Sequence, residues 1–245
     1  MLLTIDIGNT ALKFGVFDGD DLLSKFFVPT HREYSDDDLR RAVTAHLEQA
    51  PDEVIFSSVV PELDGVVSAL FLRGGIQARQ VSTSDDFGLI FNFPIDHIGT
   101  DRLVNASAAV ETRGAPCIVV AFGTATTIDV ISGKREYLGG LIAPGPKTSA
   151  KALEMITSKL PEVEIAEPVN VINSTTVGAI QAGIFYSQIG LIETAIPHIK
   201  AEIGESAKVI ATGGFASLIA AKCRSIDVVE PDLTLEGLKM LYSRR

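Results

Sequence analysis

Apolar residues near the N-terminus fall into three short runs that polar turn residues separate. The runs Leu2–Ile7, Ala11–Phe17 and Leu22–Val28 have the length and the β-branched and aromatic content of strands. Gly8-Asn9-Thr10 joins the first two runs, and Asp18-Gly19-Asp20-Asp21 joins the last two. The pattern therefore predicts three consecutive strands, the first two of which form a hairpin.

Helical and strand patterns alternate through the rest of the first half. Ser35 precedes three aspartates, so it caps a helix whose first-turn acids suit the helix dipole. The predicted segments are a helix over about 35–49, a buried strand Val54–Ser58, a helix from Pro61 that Gly74-Gly75 ends, an irregular stretch over 84–99 and a helix Asp101–Thr112.

The same order of patterns starts again after Gly114-Ala115-Pro116. The second-half segments are strands Ile118–Ala121, Thr126–Ser132 and Glu136–Ile142, helices near 147–157 and 175–203, a strand Val209–Ala211, a helix after Gly214, a strand Asp227–Val229 and a helix Leu233–Tyr242. Three strands, a helix, a strand, a helix and a strand recur in each half. We therefore expect a duplicated α/β fold with mixed sheets and halves 1–115 and 116–245.

Composition narrows the class of protein. Hydrophobic residues make up 46% of the 245 residues, enough for a sizeable core and against disorder. The net charge of -10 argues against nucleic acid as a partner. Cys117 and Cys223 are too few for a disulfide framework. No basic leader precedes the first strand, and no run reaches about 18 apolar residues. We expect a cytoplasmic protein with no membrane partner.

Two glycine–threonine turns, one in each half, carry the first candidate chemistry. Gly8-Asn9-Thr10 and Gly123-Thr124-Ala125-Thr126 each lie between apolar strands. Such turns offer backbone N–H groups and hydroxyls with little side-chain bulk, which suits phosphate oxygens. Alone, a turn of this kind is more often a plain connection between strands. Its recurrence favours a nucleotide bound from both halves.

Other residues near these turns have two interpretations each. Asp6 ends a buried strand, where a carboxylate is costly without a partner, and Mg²⁺ through bound water is one such partner. Lys13 either reaches a phosphate or is solvated. Gly213-Gly214, before a helix, either holds an adenosine by backbone contact or forms a close-packed turn.

A glycine followed by an acid–base pair opens the helix after the irregular stretch. In Gly99-Thr100-Asp101-Arg102, an ordinary helix start with a favourable acid is one interpretation. In the other, Asp101 accepts a proton from a substrate hydroxyl and Arg102 binds an anionic group. The sequence has no P-loop, no serine nucleophile elbow and no metal-ligand spacing among its four histidines.

In order and spacing, these motifs resemble those of type III pantothenate kinases, members of the actin/hexokinase/acetate-kinase-like superfamily. The similarity runs nearly end to end. The matching segments are Asp6-Ile7-Gly8-Asn9-Thr10, Ser57-Ser58-Val59-Val60-Pro61, Gly99-Thr100-Asp101-Arg102, Gly123-Thr124-Ala125-Thr126-Thr127, Gly139-Gly140 with Pro144-Gly145, Leu160-Pro161, Thr176 with Gly183, Thr212-Gly213-Gly214, and Asp232-Leu233-Thr234-Leu235-Glu236-Gly237-Leu238.

The resemblance implies two ribonuclease-H-like halves around a nucleotide cleft and ATP-dependent phosphorylation of pantothenate, the first step of coenzyme A biosynthesis. It implies that Asp101 is the general base, that Asp6 holds Mg²⁺ through water, and that the enzyme is a homodimer. The residues expected to bind ATP are Asp6, Gly8, Asn9, Thr10, Lys13, Gly123, Thr124, Thr126, Gly213 and Gly214. Those expected at pantothenate are Phe91 or Phe93, Gly99, Thr100, Asp101, Arg102 and Thr176.

The chain departs from the family pattern at two places. The family has an aspartate where Ala121 stands, and there it ligates a monovalent cation, potassium or ammonium. Asp129 is eight residues along and is expected to be a poor substitute. Before Gly99 the family has a tyrosine, whereas Phe91 and Phe93 cannot donate a hydroxyl hydrogen bond. Two alternatives stay open: a non-catalytic or weakly active nucleotide- or pantothenate-binding homologue, and a superfamily kinase or phosphatase for another small substrate.

Overall fold

The computed structural model describes residues 1–47, 49–157 and 160–244. In chain order the elements are β1 (Leu2–Ile7), β2 (Ala11–Asp18), β3 (Asp21–Pro29), α1 (Asp36–Thr44), β4 (Glu53–Ser58), α2 (Pro61–Leu72), β5 (Arg79–Gln80), α3 (Thr100–Arg113), β6 (Cys117–Phe122), β7 (Ala125–Ile131), β8 (Tyr137–Pro144), α4 (Pro146–Ile156), α5 (Thr176–Ile203), β9 (Lys208–Thr212), α6 (Ala216–Ala220), β10 (Val228–Val229) and α7 (Leu233–Ser243).

Two five-stranded mixed sheets with the same topology form the framework. The strand orders are β3-β2-β1-β4-β5 and β10-β9-β6-β7-β8. In each sheet the first three strands are antiparallel, and the last two are added in parallel on the other edge of the first strand. The predicted duplication of an α/β pattern is confirmed at this level.

Alternation along the first strand of each sheet separates a core face from a second face. Leu3, Ile5 and Ile7 belong to a core that α1 and α2 cover, so Thr4 and Asp6 point to the opposite face. The central strand of the second sheet behaves in the same way, because Ile118, Val120 and Phe122 pack with residues of α5 and α6. Val119 and Ala121 therefore point away from that core.

The chain divides into two compact units whose boundaries differ from the predicted halves. The first unit comprises Met1–Leu89, Phe93–Ala108 and the chain from Leu233 onward, and the second comprises Ile90–Asn92 and Ala109–Asp232. The last helix, α7, packs on β1, β2 and β4 of the first sheet, although in sequence it lies in the predicted second half. An amphipathic pattern predicts a helix but does not identify the sheet against which it packs.

Smaller differences concern short or polar segments. Helix α1 ends at Thr44 instead of near position 49. The last strand of the pattern predicted for the first half is β5, which had no predicted bounds because its two polar residues are too few for a periodic signal. Both cysteines are free and buried, and burial raises the pKa of Cys117 to about 12 and that of Cys223 to about 11. Within the described ranges, no helix combines the length and apolar character required to cross a bilayer.

Candidate phosphoryl-transfer site

The β1–β2 turn is closed on itself and held by the segment that follows β3. Gly8 N–H donates to the Ala11 carbonyl at 3.1 Å, which makes the turn tight. The Thr30 hydroxyl donates to the Gly8 carbonyl at 2.6 Å, and the Thr30 N–H donates to the Thr10 carbonyl at 3.1 Å. Two carbonyl oxygens of the turn are thereby directed towards Thr30. Asn9 and Thr10 lie exposed at its tip.

Asp6 and Lys13 form an ion pair directly across the hairpin. They are partners in the antiparallel register, and Lys13 Nζ lies 3.0 Å from Asp6 Oδ2. The Ser57 hydroxyl, on the neighbouring parallel strand, donates to Asp6 Oδ1 at 3.5 Å. The Asp6 side chain is 7% exposed and that of Lys13 is 33% exposed. Asp6 is therefore not an isolated acid and Lys13 is not simply solvated, because the two charges neutralise each other.

The electrostatics of this pair extend to Asp101. The charge of Asp6 raises the pKa of Lys13 above its ordinary value, the hydrogen bond to Asp6 adds to this, and the charge of Asp101 contributes, while burial opposes all three. Lys13 is therefore cationic at neutral pH. Its contribution to folding stability is complete below its ordinary pKa and is lost only as the pH rises through the raised value.

Asp101 lies at the start of α3, beside the end of β4. The Arg102 N–H donates to Asp101 Oδ1 at 2.9 Å, and the Thr100 hydroxyl donates to the Ser58 carbonyl at 3.4 Å. A Cβ at Gly99 would lie 2.5 Å from Asp101 Oδ1, so a side chain there would displace the carboxylate. The glycine in the motif therefore makes room for the acid. Carboxyl ends of adjacent parallel strands, where these groups gather, are the common ligand position in such sheets.

The β6–β7 turn of the second unit is held by the start of α4. The Thr124 carbonyl accepts from the Gly145 N–H at 3.0 Å and from the Thr148 hydroxyl at 2.5 Å. The Gly123 N–H donates to the Ala125 carbonyl at 3.0 Å, just as the Gly8 N–H donates to the Ala11 carbonyl in the β1–β2 turn. Thr124 is exposed at the tip of the turn, and its contact with phosphate stays a prediction.

Thr126 does not lie at the surface of this turn. Its side chain is 0% exposed, and its hydroxyl donates to Gln188 Oε1 at 2.6 Å. Gln188 Nε2 in turn donates to the Pro144 carbonyl at 3.2 Å. The Thr126 hydroxyl is therefore engaged in fixing the turn to α5, and the predicted contact of Thr126 with phosphate stays a prediction.

Gly213 is required by the close approach of two strands. It has φ +94°, and a Cβ would lie 2.5 Å from the Phe122 carbonyl oxygen. The Phe215 N–H donates to that same oxygen at 3.3 Å. The close-packed interpretation of this turn is the one observed for Gly213, whereas Gly214 is exposed.

Ala121 has hydroxyl neighbours on both sides. It is paired with Thr127 on β7 and with Thr212 on β9. Asp129 lies one step along the same face of β7, since the hairpin brings it back beside β6 despite its distance in sequence. Its carboxylate is 1% exposed and accepts from the Tyr137 hydroxyl at 2.5 Å and from the Thr127 hydroxyl at 3.4 Å. The buried carboxylate near Ala121 is thus already engaged.

The residues expected at pantothenate lie in different units. Phe93, in the first unit, is 37% exposed, and Phe91, in the second, places its ring 5.9 Å from that of Tyr137. Thr176 is exposed at the start of α5 and lines an open apolar cavity of about 750 Å³ between α4 and α5. The apolar side chains that line this cavity include Leu153, Ile156, Leu160, Ile180 and Ile184.

Comparison of the chain with known protein sequences finds relatives that belong to one family. The sequence profile of the type III pantothenate kinase family matches residues 2–198. A type III pantothenate kinase of Geobacter sulfurreducens is 42% identical over 256 residues, covering 100% of this chain and 99% of the relative. One from Dehalococcoides mccartyi strain CBDB1 is 38% identical over 261 residues, covering 98% and 95%.

Solved structures with little sequence identity share the fold. A Campylobacter jejuni protein described as a Baf family transcriptional activator superposes with a TM-score of 0.62 at 21% identity, covering 98% of this chain and 97% of its own. The activator of 2-hydroxyisocaproyl-CoA dehydratase from Clostridium difficile, with bound ADPNP, has a TM-score of 0.51 at 14% identity, covering 98% and 93%. The profile match and the identities of about 40% over whole chains decide the assignment: this chain belongs to the type III pantothenate kinase family.

Proposed function

We propose that the protein transfers the γ-phosphoryl group of ATP to the terminal hydroxyl of pantothenate, the first step of coenzyme A biosynthesis. Family membership supplies the substrate class. The observation that carries the proposal is the group formed by Asp6 at the end of β1, Lys13 at the start of β2 and Asp101 at the start of α3. Phosphoryl transfer needs mainly positioning, neutralised oxygens and a carboxylate beside the attacking hydroxyl.

Each residue of this group has a role that its chemistry allows. Asp101 orients the pantothenate hydroxyl and accepts its proton as the new oxygen–phosphorus bond forms and the bond from the γ-phosphorus to the ADP oxygen breaks. Lys13 supplies positive charge near the transferred phosphoryl group. Arg102 suits the pantothenate carboxylate. Gly99 and Thr100 shape the approach to Asp101. The alternative of a non-catalytic homologue is not favoured, because the proposed base and its neighbours are all present.

The two turns provide the proposed contacts to ATP. The first turn would contribute Gly8, Asn9 and Thr10, and the second Gly123 and Thr124. The Gly8 and Gly123 N–H groups close their own turns, so the two glycines contribute by leaving room for a phosphate, whereas Asn9, Thr10 and Thr124 contribute polar groups. Gly214 remains the candidate for contact with the nucleoside.

Mg²⁺ at Asp6 is part of this proposal. Among the residues that the structure describes, no three His, Cys, Asp or Glu side chains gather into a metal cage. Mg²⁺ in kinases is commonly bound by one or two carboxylates together with substrate phosphates and waters, so one carboxylate at a strand end fits. Asp6 would hold the ion through water, and the ion supplies neutralisation of the phosphate charge when it is bound with ATP.

A monovalent cation does not fit the position where the resemblance puts it. The side chain of Ala121 is a methyl group, which offers no oxygen ligand. Its paired neighbours Thr127 and Thr212 contribute hydroxyls, not a carboxylate. The Asp129 carboxylate is buried against the Tyr137 hydroxyl. We therefore assign no step to potassium or ammonium.

A homodimer formed through the second unit is also proposed. Large apolar side chains on this unit are exposed around α4 and the start of α5, and exposed apolar patches of this kind commonly mark interfaces. They include Ile142, Met155, Ile156, Val177 and Tyr186. Light scattering after gel filtration is expected to show a dimer that Ile156→Asp dissociates. Leu72→Asp, at an exposed leucine of the first unit, is expected to leave it intact; a monomeric wild-type protein would contradict the proposal.

The kinase activity is tested with Asp101→Asn. We expect the wild-type protein to form phosphopantothenate from ATP, Mg²⁺ and pantothenate in a coupled assay. Asp101→Asn is expected to lower kcat by about 100- to 10,000-fold, the range for a general base, while ATP still raises Tm. Asp96→Asn is the matched control, since the Asp96 carboxylate is exposed and accepts a hydrogen bond from the Thr83 hydroxyl. ATP-dependent stabilisation without any turnover by the wild type would instead support a binding protein.

A further inference from the structure

Arg32 lies just after β3, where the chain returns to the β1–β2 turn. Its Nη2 donates to Asn9 Oδ1 at 3.1 Å, and its Nη1 donates to Glu62 Oε1 at 2.8 Å. The Arg32 side chain is 61% exposed, so burial does not explain its placement. The Arg32 side chain connects the tip of the β1–β2 turn with the N-terminal end of α2. None of the family motifs includes Arg32.

The chemistry of the pair fixes which end of the Asn9 amide faces outward. A guanidinium has N–H donors and no acceptor, so Asn9 must present its oxygen to Arg32. The NH₂ end of the same amide is then directed away from Arg32. An asparagine side chain without this contact presents either end. Its oxygen would repel a phosphate, whereas its NH₂ group can donate to one.

Thr30, two residues before Arg32, also binds acceptor oxygens of the β1–β2 turn. Its hydroxyl and its N–H bind the carbonyl oxygens of Gly8 and Thr10, at 2.6 Å and 3.1 Å. Together with Arg32 it engages three acceptor oxygens of the turn, two from the backbone and one from Asn9. These are the groups that would otherwise oppose an anion at this position.

We propose that Arg32 is a positioning residue for ATP, holding Asn9 with its NH₂ group available to a phosphate oxygen; this rests on the proposed kinase function. Glu62 pairs with the guanidinium and offsets much of its charge. Arg32 therefore acts through the orientation of Asn9 and not by direct attraction of the nucleotide. Arg32→Ala should weaken the binding of ATP and leave the binding of pantothenate unchanged.

The test is a double-mutant cycle of Arg32→Ala and Asn9→Ala in the full-length protein. We expect each single variant to raise the KM for ATP by about ten-fold, the order expected for one hydrogen bond to a charged group, with kcat and the KM for pantothenate within about two-fold of wild type. The double variant should be no worse than Asn9→Ala alone. Arg32→Lys, which keeps a donor, should recover part of the loss.

Arg41→Ala is the matched control, because Arg41 is an exposed arginine paired with Asp38 on α1. It should behave as wild type. An unchanged KM for ATP in Arg32→Ala, or effects of the two variants that multiply, would overturn the positioning role. Calorimetric binding of ATP with Mg²⁺ separates this result from failure of the kinase proposal. If wild type binds ATP but does not phosphorylate pantothenate, the same ten-fold ratio in Kd supports the role of Arg32, and equal Kd values contradict it.

Discussion

The β1–β2 turn and the β6–β7 turn occupy the same place in two sheets of the same topology, yet the residues behind them differ in charge. In the first sheet, Asp6 faces Lys13 across the hairpin. In the second, the corresponding positions are Ala121 and Thr127. An ion pair in one half thus corresponds to a methyl group and a hydroxyl in the other.

The neighbouring parallel strands do not share this difference. Ser57 lies beside Asp6, and Thr212 lies beside Ala121, so each site has a hydroxyl in the same register position. The backbone plan and the small polar side chains are common to both turns, whereas an oppositely charged pair occupies these register positions in the first sheet and not in the second. The predictions below therefore change the charged pair beside the first turn and the neutral residues beside the second turn separately.

The largest expected effect comes from removing the charge of the first turn. Asp6→Asn keeps the shape of the side chain but leaves Lys13 without its ion-pair partner and removes the proposed Mg²⁺ ligand. We expect kcat/KM to fall by about 100-fold or more, in line with loss of one preorganised electrostatic group. Steady-state assays at several Mg²⁺ concentrations would measure this.

Asp20→Asn is the control for Asp6→Asn, because it also breaks an Asp–Lys ion pair, that of Asp20 with Lys239, on the surface of the same unit. Its activity should match that of wild type, since exposed pairs contribute little. Equal losses in the two variants would show that the Asp6 pair only supports the fold.

A smaller effect is expected when charge is added to the second turn. Ala121→Asp supplies the carboxylate that the family has at this position, and we expect higher activity that depends on potassium. Because the new carboxylate lies near Asp129, we also expect a loss of about 1–2 kcal/mol in the free energy of unfolding without potassium. Assays and melting curves in potassium and in sodium would measure both effects.

Ala121→Asn has nearly the same shape without the charge and is the control for Ala121→Asp. It should show neither the gain in activity nor the dependence on potassium. Cation dependence that is identical in wild type and in both variants would mean that the second turn has no need of a carboxylate at this position.

The smallest effect on catalysis is expected from Thr126→Val, which tests the neutral anchoring of the second turn. Loss of the hydroxyl leaves Gln188 Oε1 without its 2.6 Å donor in a buried position. We expect the free energy of unfolding to fall by about 1–3 kcal/mol, with kcat reduced by less than ten-fold. Denaturant titration and the coupled assay test this; a large loss of activity at unchanged stability would support the predicted contact of Thr126 with phosphate.

Local patterns were sufficient for most of the fold. The strands around both turns, the helix that begins beside Asp101 and the long helix α5 follow from periodicity, turn residues and capping residues, all of which act over a few positions. The candidate base Asp101 was identified for the same reason, since a glycine and an acid at a helix start form a local signal. The paired short strand β5 carried no such signal.

Contacts between distant segments were not available from those patterns. That Arg32 reaches Asn9, that Thr126 turns inward to Gln188 and that Asp129 returns beside Ala121 depend on how strands and loops meet. Four residues separate the paired residues Ile7 and Leu12. That connection length would have been a usable signal for the pairing of Asp6 with Lys13, because hairpin loop length sets register.

The sequence by itself determined the duplicated α/β pattern, the two glycine–threonine turns and the acid at the start of α3. Tertiary structure alone decided which charges meet, which hydroxyls are buried and that α7 packs on the first sheet. The physical reason is that periodicity and turn propensity are properties of neighbouring residues. Ion pairs, buried hydrogen bonds and helix-on-sheet packing arise only when segments far apart in the chain come together.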